Sequence, residues 1–124
     1  MGLLSATLLV GACADFRRGS AADAAIEAAL VDDPVFETDV YPILQSRCED
    51  CHSKGREAEL TRFVMTGKAK VDRAVVVTLV SPDNPDGSLL LWRASGNQHT
   101  GGVRIAEDEY PIIRSWIASL PAGP

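Results

Sequence analysis

The first stretch with a regular pattern of hydrophobic and polar positions lies before residue 48. Its apolar positions are Phe36, Val40, Ile43 and Leu44. This spacing places them on one face of a helix. Pro42 would break a helix interior but is tolerated in a first turn, where the missing N–H has no intrahelical partner. The pattern therefore predicts a helix of about residues 39–48, with Asp39 as its N-cap.

Two short helices are predicted in the middle of the chain. Residues 68–80 contain a valine run that favours a strand by propensity. The same residues also place Val71, Val75 and Leu79 on a helical stripe, and we predict a helix. Residues 88–95 predict a second helix that is stopped by Gly96. Polar and turn-forming residues at 53–67 and 81–87 predict the connecting loops.

The last helix is predicted at residues 107–120. Its apolar positions are Ile112, Ile113, Trp116, Ile117 and Leu120. Asp108 is the expected N-cap, which places Pro111 in the first turn. Helix 39–48 has the same start signal, so we expect the two helices to cross and pack through their apolar faces. The sequence thus predicts a small all-α domain at residues 33–120.

The N-terminal region differs from this domain. Residues 1–13 contain an apolar run that is too short to span a bilayer, which takes about 20 residues, but has the length of a signal-peptide core. The run into Cys13 resembles a bacterial lipobox, whose cysteine is lipidated, although no Lys or Arg precedes it. An ordinary signal peptide, or a tail with a chance cysteine, is the alternative. Residues 14–32, rich in Ala, Asp and Ser, predict a flexible tether.

Charge excludes one class of function. The chain has 124 residues and a formal net charge of −5. It has no basic stripe that could neutralise phosphates, so nucleic acid is not an expected partner. The sequence also contains no Ser/His/Asp arrangement, no phosphate-binding glycine loop and no carboxylate pair with a reason to be paired.

The most specific motif is Cys-Glu-Asp-Cys-His at residues 48–52. It is the C-x-x-C-H signature of covalent haem attachment. Each thiol can form a thioether with one vinyl group, and the following imidazole supplies the proximal axial ligand. Zinc needs about four ligands, and the chain offers Cys48, Cys51, His52 and His99 at most. A redox cysteine pair would need a βαβ setting that the pattern does not predict.

These motifs together resemble bacterial monohaem c-type cytochromes. The pattern F-x-x-D-V-x-P-I-L stands at residues 36–44, Ser-Leu-Leu at 88–90, His-x-Gly-Gly at 99–102 and Trp-Ile at 116–117. The resemblance covers about residues 34–120. It implies a cytochrome c-like helical domain wrapped around one covalent haem c. Trp92 and Trp116 are expected to contribute to the apolar surroundings of the porphyrin.

The sixth iron ligand has two candidates and a third possibility. His99 lies in a loop just before the last helix, where cytochromes c usually carry the distal ligand, and it is the only other histidine. Met65, thirteen positions after His52, is the alternative. An open or water-bound position is the third. The glycines at 101 and 102 would let the backbone approach the porphyrin closely, and we favour His99.

The resemblance implies an electron carrier and not an enzyme. Haem attachment in bacteria follows export, so the expected location is periplasmic or the cell envelope, with a lipid anchor at Cys13. The expected partners are redox proteins or a membrane respiratory complex. A haem enzyme or sensor with an open axial position, for peroxide or a gas, is the alternative. A zinc-binding structural lipoprotein is the less favoured one.

Overall fold

The computed structural model describes residues 30–122. A π-helical turn, Phe36–Val40, runs into helix α1, Tyr41–Cys48. Helix α2, Ala69–Val76, continues as a 3₁₀ turn, Val77–Leu79. A further 3₁₀ turn, Pro85–Gly87, precedes α3, Leu89–Ala94, and the last helix is α4, Tyr110–Ser119. Within residues 30–122 the pairing of extended backbone is limited to two isolated bridges, so the predicted all-α class is confirmed at this level.

The first helical region begins earlier than the predicted residue 39. The carboxylate of Asp33 accepts a hydrogen bond from the Phe36 N–H at 3.0 Å and thereby caps the segment. The prediction of Asp39 as N-cap is wrong, because Asp39 lies inside the π-helical turn. In that turn the Tyr41 N–H donates to the Phe36 carbonyl, five residues back. We attribute the tolerance of Pro42 to this wider turn, since Pro42 has no N–H to donate.

The two middle helices are confirmed with shorter bounds. Helix α2 and the 3₁₀ turn after it occupy the valine-rich segment, which therefore does not form a strand. They bury Val76 and Leu79. Helix α3 ends before Gly96, whose φ of +95° matches the left-handed stop expected there. Ser88 stands at the N-cap position of α3, but its hydroxyl accepts from the Ser81 N–H at 2.8 Å and makes no cap bond.

Helix α4 starts by a different contact from the one predicted. Asp108 lies in the turn before the helix and is exposed, so the expectation that it caps α4 is wrong. The carboxylate of Glu109 instead accepts from the Ala106 N–H at 2.9 Å, while the Tyr110 N–H donates to the Ala106 carbonyl. This is the glutamate half of a capping box. Pro111 falls in the first turn, as predicted.

The core forms where α4 crosses the first helical region. The rings of Phe36 and Trp116 pack with centroids 4.9 Å apart, and both side chains are buried. The indole N–H of Trp116 donates to Asp33 at 2.9 Å, and Asp33 also pairs with Arg73 of α2 at 2.7 Å. The expected packing of the two helices is confirmed. Asp33 joins three separate elements at one carboxylate.

The predictions for the N-terminal region fall largely outside the described residues. The signal peptide and Cys13 lie there, as does the tether up to residue 29. Residues 30–33 have no regular secondary structure. Among the residues described, no helix is long and apolar enough to cross a membrane.

Candidate cofactor site

The motif at residues 48–52 forms a tight turn at the end of α1. The N–H groups of Cys51 and His52 both donate to the Cys48 carbonyl, at 3.2 and 2.9 Å. This turn brings both thiols and the imidazole to the wall of one cavity. Helix α1 therefore places all three chemical groups of the motif on the same side of the chain.

The cavity has a volume of about 720 Å³. Small-molecule and cofactor pockets commonly measure about 300–1,000 Å³. Cys48, Cys51, His52 and His99 all contribute to its wall. Its apolar lining comes from Phe63, Leu79, Leu89, Leu90 and Ala94. The structure thus brings the three motif residues and the distant His99 to the wall of one cavity. The size and the apolar lining of this cavity suit a large apolar group.

His52 is held by the segment that follows the motif. Its Nδ1 lies 2.7 Å from the Phe63 carbonyl oxygen, and its ring packs against the Phe63 ring at 4.9 Å between centroids. A carbonyl can only accept, so Nδ1 carries the proton and donates. The other ring nitrogen, Nε2, then has a free lone pair, the form in which a neutral histidine binds a metal.

His99 shows the same arrangement from a different loop. Its Nδ1 lies 2.8 Å from the carbonyl oxygen of Gly102, so Nε2 is again the nitrogen with a free lone pair. Gly102 has a φ of +72°, a backbone conformation that favours glycine and turns the chain back toward the imidazole. A Cβ on Gly101 would lie 3.1 Å from the His99 Cε1 atom. The two glycines therefore leave room for the ring and supply its hydrogen-bond acceptor.

The two imidazole rings lie close together and nearly parallel. Their ring centroids are 6.2 Å apart and their planes differ by 16°. A metal–imidazole bond is about 2 Å and a ring centroid lies about 1 Å beyond the nitrogen, so two imidazoles on opposite sides of one metal have centroids about 6 Å apart. Directly packed aromatic rings also span about 4.5–7 Å between centroids, so the shared cavity and the two Nε2 lone pairs are what favour a ligand pair. The residues present fit a metal held between two histidines.

The two cysteines differ in their surroundings. Cys48 is buried and Cys51 is partly exposed; both are free thiols. Burial raises the pKa of the Cys48 thiol to about 11, so it is protonated at neutral pH. Arginines dominate the charged part of the cavity wall: Arg47, Arg62, Arg93 and Arg104, against one acidic residue, Glu57. This wall is basic although the whole chain has a net charge of −5.

Three residues named from the sequence do not line this cavity. Met65 is buried and lines a second cavity with Glu49 and Thr66, among others. Trp116 faces Phe36 in the core, because the apolar stripe of α4 covers the first helical region. Trp92 is partly exposed at the surface, beneath the guanidinium of Arg93. The structure gives no support to porphyrin contacts from either tryptophan.

One feature of the site carried little sequence signal. The acceptors of the two imidazole Nδ1–H groups are main-chain carbonyls, at Phe63 and Gly102. Every residue has a carbonyl, so residue type does not mark these positions. The His-x-Gly-Gly pattern was the only hint of the second acceptor.

Comparisons with protein-family models, with curated proteins and with solved structures find no match for this chain. Among residues 30–122, no group of three or more His, Cys, Asp or Glu side chains is arranged to hold a metal ion by itself. The function is therefore inferred from the motif and from the geometry of the cavity.

Proposed function

We propose that this chain is a c-type cytochrome that carries one covalent haem c and transfers electrons. The observation that carries the proposal is the close pair of His52 and His99, whose ring centroids are 6.2 Å apart, at the cavity that Cys48 and Cys51 also line. Haem c supplies an iron that alternates between two oxidation states by one electron. Cys48 and Cys51 would attach the cofactor, and His52 and His99 would hold its iron.

The chain contributes orientation and an apolar environment. The carbonyls of Phe63 and Gly102 hold each imidazole in the tautomer that leaves the Nε2 lone pair free. Donation of the Nδ1 proton to a carbonyl also makes the imidazole a stronger base. Apolar side chains of α3, including Leu90 and Ala94, exclude water from one side of the cavity. Together these contacts favour a fixed coordination, which suits electron transfer because little has to move.

The facing histidines favour a carrier over an enzyme with an open axial position. Both Nε2 atoms would be used, which leaves no position for peroxide or a gas. Two histidine ligands also predict a lower reduction potential than a Met/His pair, since a methionine ligand raises the potential. The proposed location is periplasmic or the cell envelope, with a lipid anchor at Cys13. The proposed partners are redox proteins or a membrane respiratory complex.

The cofactor is tested first. The protein is produced with bacterial haem-attachment machinery and examined by pyridine haemochrome assay and intact mass. We expect one covalent haem per chain, and partial or complete loss of attachment in the Cys48→Ser and Cys51→Ser variants. A wild-type protein without covalent haem under these conditions would refute the proposal.

The ligands are tested by matched substitutions. His99→Ala is expected to convert a low-spin spectrum to a high-spin one and to give rapid carbon monoxide binding in the reduced state. Met65→Leu conserves volume and is expected to leave the spectrum unchanged. The opposite pattern would assign the sixth ligand to Met65. Rapid carbon monoxide binding by the reduced wild type would instead favour the open-site enzyme or sensor.

A further inference from the structure

A buried carboxylate lies outside the cavity and has no part in the attachment motif. Asp72, in the first turn of α2, is fully buried. One of its oxygens accepts from the hydroxyl of Tyr41 at 2.6 Å. The other accepts from the N–H and the hydroxyl of Thr66, at 2.8 and 2.7 Å. Asp72 therefore connects the start of α1, helix α2 and the loop after the motif.

The loop that Asp72 holds is the one that orients His52. We call residues 63–66 the His52 support segment. Its Phe63 carbonyl accepts from the His52 Nδ1–H at 2.7 Å, and its Met65 N–H donates to the His52 carbonyl at 2.5 Å. The segment thus contacts His52 at both the ring and the main chain. Asp72 fixes its far end through Thr66.

We infer that Asp72 is a positioning residue for His52 and that it tunes the reduction potential of the bound haem. This inference rests on the proposed function. Asp72 contacts neither the cavity nor the imidazole; it acts through the support segment. Buried polar groups that are left without partners are costly, so the two Thr66 bonds hold the segment in one place.

The expected direction follows from the Nδ1 hydrogen bond. A strong bond to the Phe63 carbonyl raises the basicity of the His52 ring, and a more basic ligand stabilises the oxidised iron. When the support segment loosens, this bond lengthens and the ligand weakens as a donor. The reduction potential then shifts to more positive values.

Four single variants separate this role from general stability. Asp72→Asn replaces one oxygen acceptor by an amide donor at constant size, and Thr66→Val removes only the hydroxyl bond. Both are expected to shift the midpoint potential upward. Tyr41→Phe removes the bond on the far side of Asp72 and is expected to leave the potential close to wild type.

The fourth variant, Asp33→Asn, is the control for destabilisation. Asp33 also accepts several hydrogen bonds, but these come from Phe36, Arg73 and Trp116 and not from the support segment. It is expected to destabilise the protein without a shift in potential. Each loaded variant is measured by potentiometric titration, and the proton NMR signals of the His52 ring in the oxidised protein report its orientation.

The outcomes distinguish this inference from the proposed function. Equal potential shifts in Asp72→Asn and Asp33→Asn would overturn the positioning role, as would an unchanged potential and unchanged His52 signals in a loaded Asp72→Asn protein. If Asp72→Asn does not fold, Thr66→Val decides alone by the same criteria. Absence of covalent haem from the wild type would instead refute the proposed function itself.

Discussion

Replacement of Asp33 by alanine tests how much the contacts of this one carboxylate contribute to the stability of the fold. The Asp33 carboxylate caps the first helical region through the Phe36 N–H at 3.0 Å. It also accepts from the Trp116 indole at 2.9 Å and from the Arg73 guanidinium at 2.7 Å. Asp33→Ala removes all three contacts at once. We therefore expect a large loss of stability, although Asp33 lies only a few residues from the start of the described range.

The magnitude can be built from the contacts of Asp33. Loss of an aspartate cap costs about 1 kcal/mol. The N–H of the buried Trp116 is left without its partner, which costs about 1–3 kcal/mol. The side chains of Arg73 and Asp33 are only 13% and 14% exposed, so their pair is worth at least the roughly 0–1 kcal/mol of an exposed one. We expect a total of about 3 kcal/mol, since the three contacts share one group.

The assay is urea unfolding followed by circular dichroism, with a thermal scan beside it. A loss of about 3 kcal/mol lowers Tm by about 12–24 °C in a domain of this size. The matched control is Asp32→Ala, because Asp32 forms an exposed ion pair with Lys70 and is expected to change stability by less than about 0.5 kcal/mol. A loss below about 1 kcal/mol for Asp33→Ala would show that only the cap matters.

The same residue predicts a pH dependence. Burial acts to raise the pKa of Asp33, but the hydrogen bonds from Trp116, Phe36 and Arg73 outweigh it and hold the pKa below its ordinary value. The stabilisation by Asp33 is therefore fully present above an unfolded pKa of about 3.9 and is lost as the pH falls through the folded pKa. The difference in stability between wild type and Asp33→Asn should narrow below about pH 4. A constant difference down to pH 2 would contradict this assignment.

Three further predictions concern the cavity and the core. Gly101→Val places a side chain about 3.1 Å from His99 Cε1 and should reduce the low-spin fraction in the absorption spectrum; an unchanged spectrum would contradict the placement of the ring. In haem-free protein at pH 8, iodoacetamide should modify Cys51 well before Cys48, because a pKa of about 11 leaves about one Cys48 thiolate in a thousand; peptide mass mapping measures the order, and equal rates would refute it. Phe36→Ala removes a fully buried ring and should cost about 3–5 kcal/mol in urea unfolding, against less than about 1 for an exposed position.

Hydrophobic spacing and turn signals predicted the four α-helices of residues 30–122, but not how the outer two begin. The first cap was assigned to Asp39 because Pro42 was expected in a first turn. The chain instead uses Asp33, which is followed by Pro34 at the first helical position, a signal that the sequence contains. The π-helical turn before Pro42 was not predicted, because the hydrophobic spacing alone does not distinguish it from an α-helical turn. The errors in the predicted helix starts therefore came from local hydrogen bonds, which hydrophobic periodicity does not reveal.

The site was predictable in its residues and not in its geometry. The motif and the paired histidine were named from residue type and order, and the structure places His52 and His99 at one cavity. Haem attachment itself stays a prediction. The role proposed for Asp72 was not predicted. Its partner Tyr41 lies 31 residues away in the sequence, and its partner Thr66 has an ordinary polar side chain in a predicted loop.

The contacts that hold the two histidine rings differ in how far they extend into the fold. His52 is tied to a segment that a buried carboxylate anchors, whereas the His99 ring bonds to a carbonyl of its own loop, three residues on. That loop contains Gln98 with a φ of +47°, a conformation rarely adopted by non-glycine residues. Local opening is expected to begin there, with amide hydrogens at 96–102 exchanging before those at 51–66. Access of an external ligand to the iron of the proposed haem would then be governed by this opening equilibrium, whose free energy is expected to be well below that of global unfolding.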